Sequence, residues 1–519
     1  MPLLDPSSMK LKQWLGFLGL CVLGTLLGAF SSVYLPGTIN TGRWVASATT
    51  RPYQQCLQRH REELPDLNCS ADYEDIRYWR PPESYELNLN KLKKGNCRDW
   101  YDVLCMPSTP ASREEARFPL AYLLIIDIQV EQTVRLLELI YQPQNQYCIT
   151  YDMDNARKTA RLIRSLTSCY DNVIEPEKHE FMGWGTFGIL GAAYNCISAL
   201  HKTGKPWRYV QVLSWNDVPL RTNLEMVRVL DAYQGANDVG LFNLKERRTD
   251  WHWLDMDKDG FEAAKKRVKK LSKSQKKLYK LKKVFGQYWL INKTLEEVGN
   301  PPPGLKTSPP HSPSFNSTSG GLNLHKGSFA STLSRETVEY MVEDPLAIDF
   351  YEYLKTTFIP DETYWSTLIH SPSSGCPGFF PGECKRTLGI NKPWISRWQV
   401  WEHKTPDLCG TELFTHLSCV FGIKDVRGSC TVMPHFVAHK FYPNKENAAW
   451  QCLARELRER AITPDPDFPL HLYTRQPAIR YQIDPTLSCE ELADPAAEVL
   501  PYSDSFDDPE PEEEEEQKN

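Results

Sequence analysis

The stretch that most constrains this chain runs from Phe118 to Asp152, FPLAYLLIIDIQVEQTVRLLELIYQPQNQYCITYD. Leu120–Ile126 is a short, unbroken apolar run rich in Leu and Ile, the pattern of a strand buried on both faces. Val130, Val134, Leu137 and Tyr141 then recur at helical spacing, which predicts a helix over Glu131–Tyr141 with one apolar face. Pro143 ends it, and Tyr147–Tyr151 returns as a second strand that stops at Asp152. Two parallel strands joined by a crossover helix make an α/β unit, whose ligands sit beyond the carboxyl ends of the strands. Ile126, Asp127 and Asp152 are thereby placed on the rim of a site. No GxGxxG or GxxxxGKS/T lies nearby, so dinucleotide and P-loop readings fail.

The α/β pattern continues. Asn155–Thr167 reads as a helix with Ala156, Ala160, Ile163 and Leu166 inward, and Gly183–Leu200 as another. Tyr209–Leu213 is a further apolar strand, running into Ser214-Trp-Asn-Asp217, and Asn223–Tyr233 a helix with Leu224, Val227 and Leu230 on one face. With 519 residues, 41% of them apolar, the chain can build a sizeable core, as one large domain or as up to three. Its net charge of −6 is unevenly spread and gives no global field for nucleic acid. Ala263–Lys283 is a basic amphipathic stretch, read chiefly as a solvated surface insert, and Gly299–Gly321 is Pro/Ser-rich and loop-like. Folded sequence resumes at Leu322 and is expected to run to about Arg460. Ser503–Lys518 is too acidic to fold alone.

Trp14–Leu35 holds 22 residues without a charge, long enough to cross a bilayer at about 1.5 Å per residue. Lys10 and Lys12 precede it, which keeps the short N-terminus cytosolic. An uncleaved type II anchor is expected, with the rest of the chain lumenal; the competing reading is a signal peptide cut near Ser31–Ser32. Fifteen cysteines suit an oxidising lumen, and no CxxC pair favours zinc. Asn68, Asn292 and Asn316 each open an N-glycosylation triplet.

Several motifs, in order, resemble the β-1,6-N-acetylglucosaminyltransferases that branch mucin O-glycans, the core 2 enzymes of glycosyltransferase family 14. They are FPLAY, RLLELIYQPQNQYCI, TSCYDNV (167–173), VPLRTNLEMVRVL (218–230), KGSF (326–329) with SRE (334–336), PDE (360–362), SRWQ (396–399), CVFG (419–422) and HKF…QCLARELR (439–458). The likeness spans roughly 68–458, with gaps. It implies a GT-A-like nucleotide-sugar-binding α/β domain in the Golgi lumen over 118–460, interrupted by an insert at 264–321. Residues 1–13 become a cytosolic tail, 14–35 the anchor, 36–117 a stem and disulfide-tethered entry segment, and 461–519 an extension with an acidic, disordered tail. It further implies a UDP-sugar donor, UDP-GlcNAc first, an O-glycan acceptor, inversion at the anomeric carbon and no metal or other cofactor.

The resemblance also assigns roles. Glu362 follows Pro360 and Asp361 in the first turn of an expected helix, where a carboxylate is ordinarily just favourable at the dipole. As the glutamate of PDE it becomes the general base, with Tyr364 and Trp365 expected to wall the sugar site. Lys440 becomes a clamp on the leaving diphosphate, and Ile126, Asp152 and Trp184 donor contacts, Trp184 replacing a tyrosine. Asp152-Met-Asp154 tempts a DxD metal reading, but the metal motif of related enzymes comes later in the chain. Trp398 of SRWQ is implied as an acceptor platform, while Lys245, Glu246 and Arg247 are acceptor candidates in a region that aligns poorly. His416 stands where the family has an arginine that shares the diphosphate, with a neighbour such as His439 or Lys404 as the alternative second cation. The implied disulfides are Cys69–Cys452, Cys97–Cys169, Cys148–Cys196 and Cys409–Cys419; Cys376 and Cys384 could close a local loop. Cys56, Cys105, Cys430 and Cys489 stay unassigned. A xylosyl- or glucosyltransferase of the same family, and a catalytically silent glycan-binding relative, are the alternatives.

Overall fold

The computed structural model describes residues 51–126, 129–183, 185–242, 321–355, 357, 359–384, 394–430 and 432–493, with four short strands between 252 and 306. The expected anchor, Asp127, Trp184, Lys245, Glu246, Arg247, Asn292 and Asn316, the acidic tail and positions 263–280 of the basic stretch lie outside the described residues. Among the described residues no helix is long and apolar enough to cross a membrane.

The centre is a five-stranded sheet. Its first strand, β1 (Ala121–Ile126), is followed by helix α1 (Val130–Ile140), β2 (Gln146–Tyr151), α2 (Ala156–Thr167), β3 (Val173–Ile174) and α3 (Gly188–Lys202). Next come β4 (Tyr209–Ser214), the short β5 (Asp217–Pro219) and α4 (Asn223–Ala232), and much later β6 (Thr332–Ser334) and α5 (Arg335–Glu343). Strand order is β6-β4-β1-β2-β3, with β1, β2, β3 and β4 parallel and β6 antiparallel to β4. Each expected strand and helix of this region is present to within a few residues, and β1 and β2 pair in parallel from Ala121–Gln146 to Ile126–Tyr151.

Strand β1 is buried on both faces because helices cover both. By the period of two, Tyr122, Leu124 and Ile126 join one core with α1, α2 and α4, while Ala121, Leu123 and Ile125 join another with α3 and α5. Each Leu or Ile side chain taken fully from water contributes roughly 1.5–3 kcal/mol. The strand order reverses between β1 and β4, so the crevice beyond their carboxyl ends is where a ligand belongs.

A second layer completes that edge. Strands β7 (Trp398–Gln399) and β10 (Val437–His439) join β5 in a small sheet, ordered β7-β10-β5, with β8 (Phe414–Thr415) and β9 (Ser418–Cys419) forming a hairpin beside it. Helix α6 (Asn447–Ile462) follows.

The four implied disulfides are present, and two more pairs join Cys56 to Cys105 and Cys384 to Cys489. The local Cys376–Cys384 loop is therefore corrected: Cys384 reaches a cysteine 105 residues on, and Cys376 is a buried free thiol, as is Cys430. The fold does not end near Arg460 either. Helices His471–Thr474, Pro477–Ile483 and Cys489–Leu492 bury Tyr473, Ile479 and Leu492, so folded chain extends to about Ala493. The entry segment is likewise built: helix Arg51–Glu63 lies against α6, with His60 bonded to Gln451 and Arg61 to Glu459.

Candidate active site

The rim of the crevice is assembled from backbone bonds between distant loops. The Asp152 N–H donates to the Ile126 carbonyl at 3.0 Å, so the ends of β1 and β2 stay level. The Asp152 carboxylate accepts from the N–H groups of Asp154 and Met182, at 3.1 and 3.2 Å, and the Met153 N–H donates to Glu180. Asp152 therefore caps a turn and draws the 180–185 segment to the strand end. Ile126 is fully buried at the end of β1. That same segment receives the next residue: the Ile359 N–H donates to the Gly185 carbonyl at 3.1 Å.

Ile359 has φ +50°, a left-handed conformation that costs a β-branched residue about 1–3 kcal/mol. It delivers Pro360–Glu362 as a single 3₁₀ turn leading into helix Tyr364–His370, close to the expected helix entry. The Glu362 carbonyl accepts from the Gly327 N–H at 2.6 Å, which fixes the turn to KGSF. The Glu362 side chain is 32% exposed, and the Lys326 ammonium lies 3.9 Å from its carboxylate. Tyr364 and Trp365 do not form an open wall here. Both are fully buried in the core of α3 and α5, because at the start of a helix they turn inward while Glu362 turns out.

Lys440 comes from the small sheet. It follows β10 directly, the Phe441 N–H donates to the Asn216 carbonyl, and the Lys440 carbonyl accepts from Phe421 at 2.9 Å. The residue is only 4% exposed, and its ammonium donates to the Thr415 carbonyl at 2.5 Å, with the Tyr442 ring 5.7 Å away. Burial, and then the nearby Arg397 charge, lowers its pKa to about 8. No carboxylate pairs with it among the described residues.

Arg397 and Asp217 were not singled out by the sequence, yet they organise this corner. The Asp217 side chain is wholly buried; Arg397 donates to it at 2.8 Å, His439 at 2.7 Å and the Ser214 N–H at 2.7 Å. Burial opposes its ionisation, but Arg397 and then His439 outweigh that and hold its carboxyl below the usual range. Antiparallel pairing sets Asp217 opposite His439, and Gln399 pairs with His439 from the other side. The signal available in sequence was a charged residue at the end of an apolar strand, Asp217, and another inside SRWQ.

His439 cannot supply a second cation. Burial, then Arg397, pushes its pKa to about 4, and its neutral ring is committed to Asp217. His416 sits at the tip of the β8–β9 hairpin, where His416 and Leu417 both have positive φ. Burial and then the Lys440 charge lower its pKa below the ordinary value, so it is neutral near neutrality in the free protein. Trp398 is also corrected. It is 1% exposed in the core beneath the small sheet, its ring against His435 at 5.0 Å, and it offers no face for a sugar to stack on. A central position in a short covered strand looks the same in sequence as an open platform.

Comparison with known proteins places this arrangement. The family model of the core-2/I-branching enzymes matches residues 120–427, from β1 through the Glu362 turn to the hairpin and just past it. The chain is 28% identical over 377 residues to the N-acetyllactosaminide beta-1,6-N-acetylglucosaminyl-transferase of Mus musculus, covering 72% of this chain and 82% of that protein. A Homo sapiens beta-1,3-galactosyl-O-glycosyl-glycoprotein beta-1,6-N-acetylglucosaminyltransferase is 28% identical over 360 residues, covering 68% and 73%. A Danio rerio enzyme with that name, numbered 4, is 26% identical over 417 residues, covering 77% and 86%. With well over half of its length matched, including both strands of the opening α/β unit and the PDE turn, the chain belongs to the core-2/I-branching family of glycosyltransferases.

Proposed function

We propose that this protein transfers N-acetylglucosamine from UDP-GlcNAc, in β-1,6 linkage and with inversion, to the galactose/N-acetylgalactosamine core of O-glycans. The relatives named above act in that linkage, which supports the reading. One observation carries the chemistry: Glu362 is a part-exposed carboxylate in a turn bonded to the segment that Asp152 holds, and Lys440 is a buried ammonium with no acidic partner among the described residues. In the proposed reaction an acceptor hydroxyl attacks the anomeric carbon. Glu362 takes the hydroxyl proton, the new C–O bond forms as the bond to the diphosphate breaks, and UDP leaves with the electron pair. Lys440 meets the charge that develops on the leaving group, the part played elsewhere by a metal. Asp152 and Ile126 lie at the strand ends where the uridine end of the donor belongs.

The same reading sets the domain in the Golgi lumen behind an uncleaved anchor at 14–35. Asn68 is exposed, which suits a glycosylated site. The test is a panel of UDP-GlcNAc, UDP-xylose and UDP-glucose offered with O-glycan acceptors to the purified protein. Turnover with UDP-GlcNAc supports the proposal; turnover with another donor alone replaces it with the xylosyl or glucosyl alternative, and none at all favours a silent relative.

A further inference from the structure

The neighbourhood of Lys440 contains more positive charge than its own ion pairs balance. Arg397 and Lys440 lie close enough for the Arg397 charge to be felt at the Lys440 amine, and both are less than a tenth exposed. Asp217 compensates one of these two charges, and His439 is neutral. A surplus cation held away from water is unfavourable unless an anion joins it. Arg397 is also under-used as a donor. Its bonds to Asp217, at 2.8 Å, and to the Ser214 hydroxyl, at 2.9 Å, both leave from Nη2. Its Nε is buried with no hydrogen-bond partner among the described residues. A guanidinium kept merely to neutralise Asp217 would typically present two nitrogens to that carboxylate.

We propose that Arg397, anchored through one nitrogen by Asp217 and Ser214, is the second fixed cation of the diphosphate site and acts beside Lys440. This rests on the donor-site reading above. It gives the role that the sequence suggested for His416 to a residue whose charge does not depend on pH. Asp217 is then a positioning residue: one carboxylate oxygen holds Arg397 and the other His439, which directly precedes Lys440 in the chain.

The test compares the binding of UDP and of uridine by calorimetry, since the two differ only in the phosphates. For Arg397→Gln the expected result is a loss of about tenfold or more in UDP affinity, the scale of a charge-assisted bond, with uridine affinity unchanged. Arg397→Lys retains the charge, so it should keep UDP affinity within about fivefold, and it serves if the Gln variant fails to fold. UDP affinity lost in Lys440→Met but kept in Arg397→Gln overturns the proposal and leaves the donor site standing. Equal losses for UDP and uridine in Arg397→Gln, or loss of the UDP preference in a folded Arg397→Lys, reduce Arg397 to a structural brace. Wild-type protein that binds UDP no better than uridine removes the donor site and the proposal together.

Discussion

Glu362 and Lys440 differ in exposure, and the parts proposed for them follow from that difference. A base must meet substrate, and Glu362 is held at the rim by the strained Ile359 and the bond from Gly327. Glu362→Gln keeps size and hydrogen bonding but cannot take a proton, so turnover should fall by at least ~10²-fold while UDP binding stays as it was. Steady-state rates beside calorimetry check both halves. Lys440 must be charged to hold a diphosphate, and burial with Arg397 has brought its pKa to about 8. UDP affinity should therefore fall as pH rises from 7 through about 8, because the unliganded amine then loses its proton. His416, whose pKa is lowered, cannot set that limb. His416→Arg, by adding a fixed positive charge beside Lys440, should move its midpoint downward, whereas Arg397→Gln, by removing a neighbouring positive charge, should move it upward. A limb abolished by His416→Arg would instead reassign it to His416.

At the scale of elements, what could be read in advance was what depends on local pattern. β1, β2 and β4 are continuous apolar runs, and α1 and α2 carry one apolar face each, so neighbours in sequence settled them. The fate of Trp398, Tyr364 and Trp365 depended on what covers them, and no local pattern distinguishes an open ring from a covered one. The Asp217–Arg397 pair spans 180 residues and exists only once β5, β7 and β10 have met. The C-terminal helices escaped notice because each is only four to seven residues long and sits among Pro and Asp. They nonetheless complete the core, which gives a clean expectation. Truncation after Arg460 removes buried Tyr473 and Ile479 and the partner of Cys384, and should destabilise the domain by at least about 3–5 kcal/mol. Truncation after Ala493 should leave the melting temperature unchanged. Thermal melts of the two truncated forms decide it.

For the whole molecule, the parallel sheet supplies Asp152, and the later chain supplies the other residues of the proposed site. Asp152 comes from the first unit, Glu362 from a turn pinned to the 180–185 segment, and Lys440 from a small sheet that takes β5 as its edge. Cys69–Cys452 closes 383 residues of chain and fastens the entry segment to α6 behind the small sheet. Removing both cysteines should cost about 2–5 kcal/mol, read as a lower midpoint in denaturant, without a change in UDP affinity for whatever remains folded. The central claim is that one carboxylate and fixed cations carry out a β-1,6 transfer on this edge. Its most direct measurement is the product formed from UDP-GlcNAc and a galactose/N-acetylgalactosamine core acceptor in the presence of EDTA, with its linkage read by NMR. The account predicts a β-1,6-linked N-acetylglucosamine from the wild-type protein and almost none from Glu362→Gln; equal product from both, or activity lost in EDTA and restored by manganese, would contradict it.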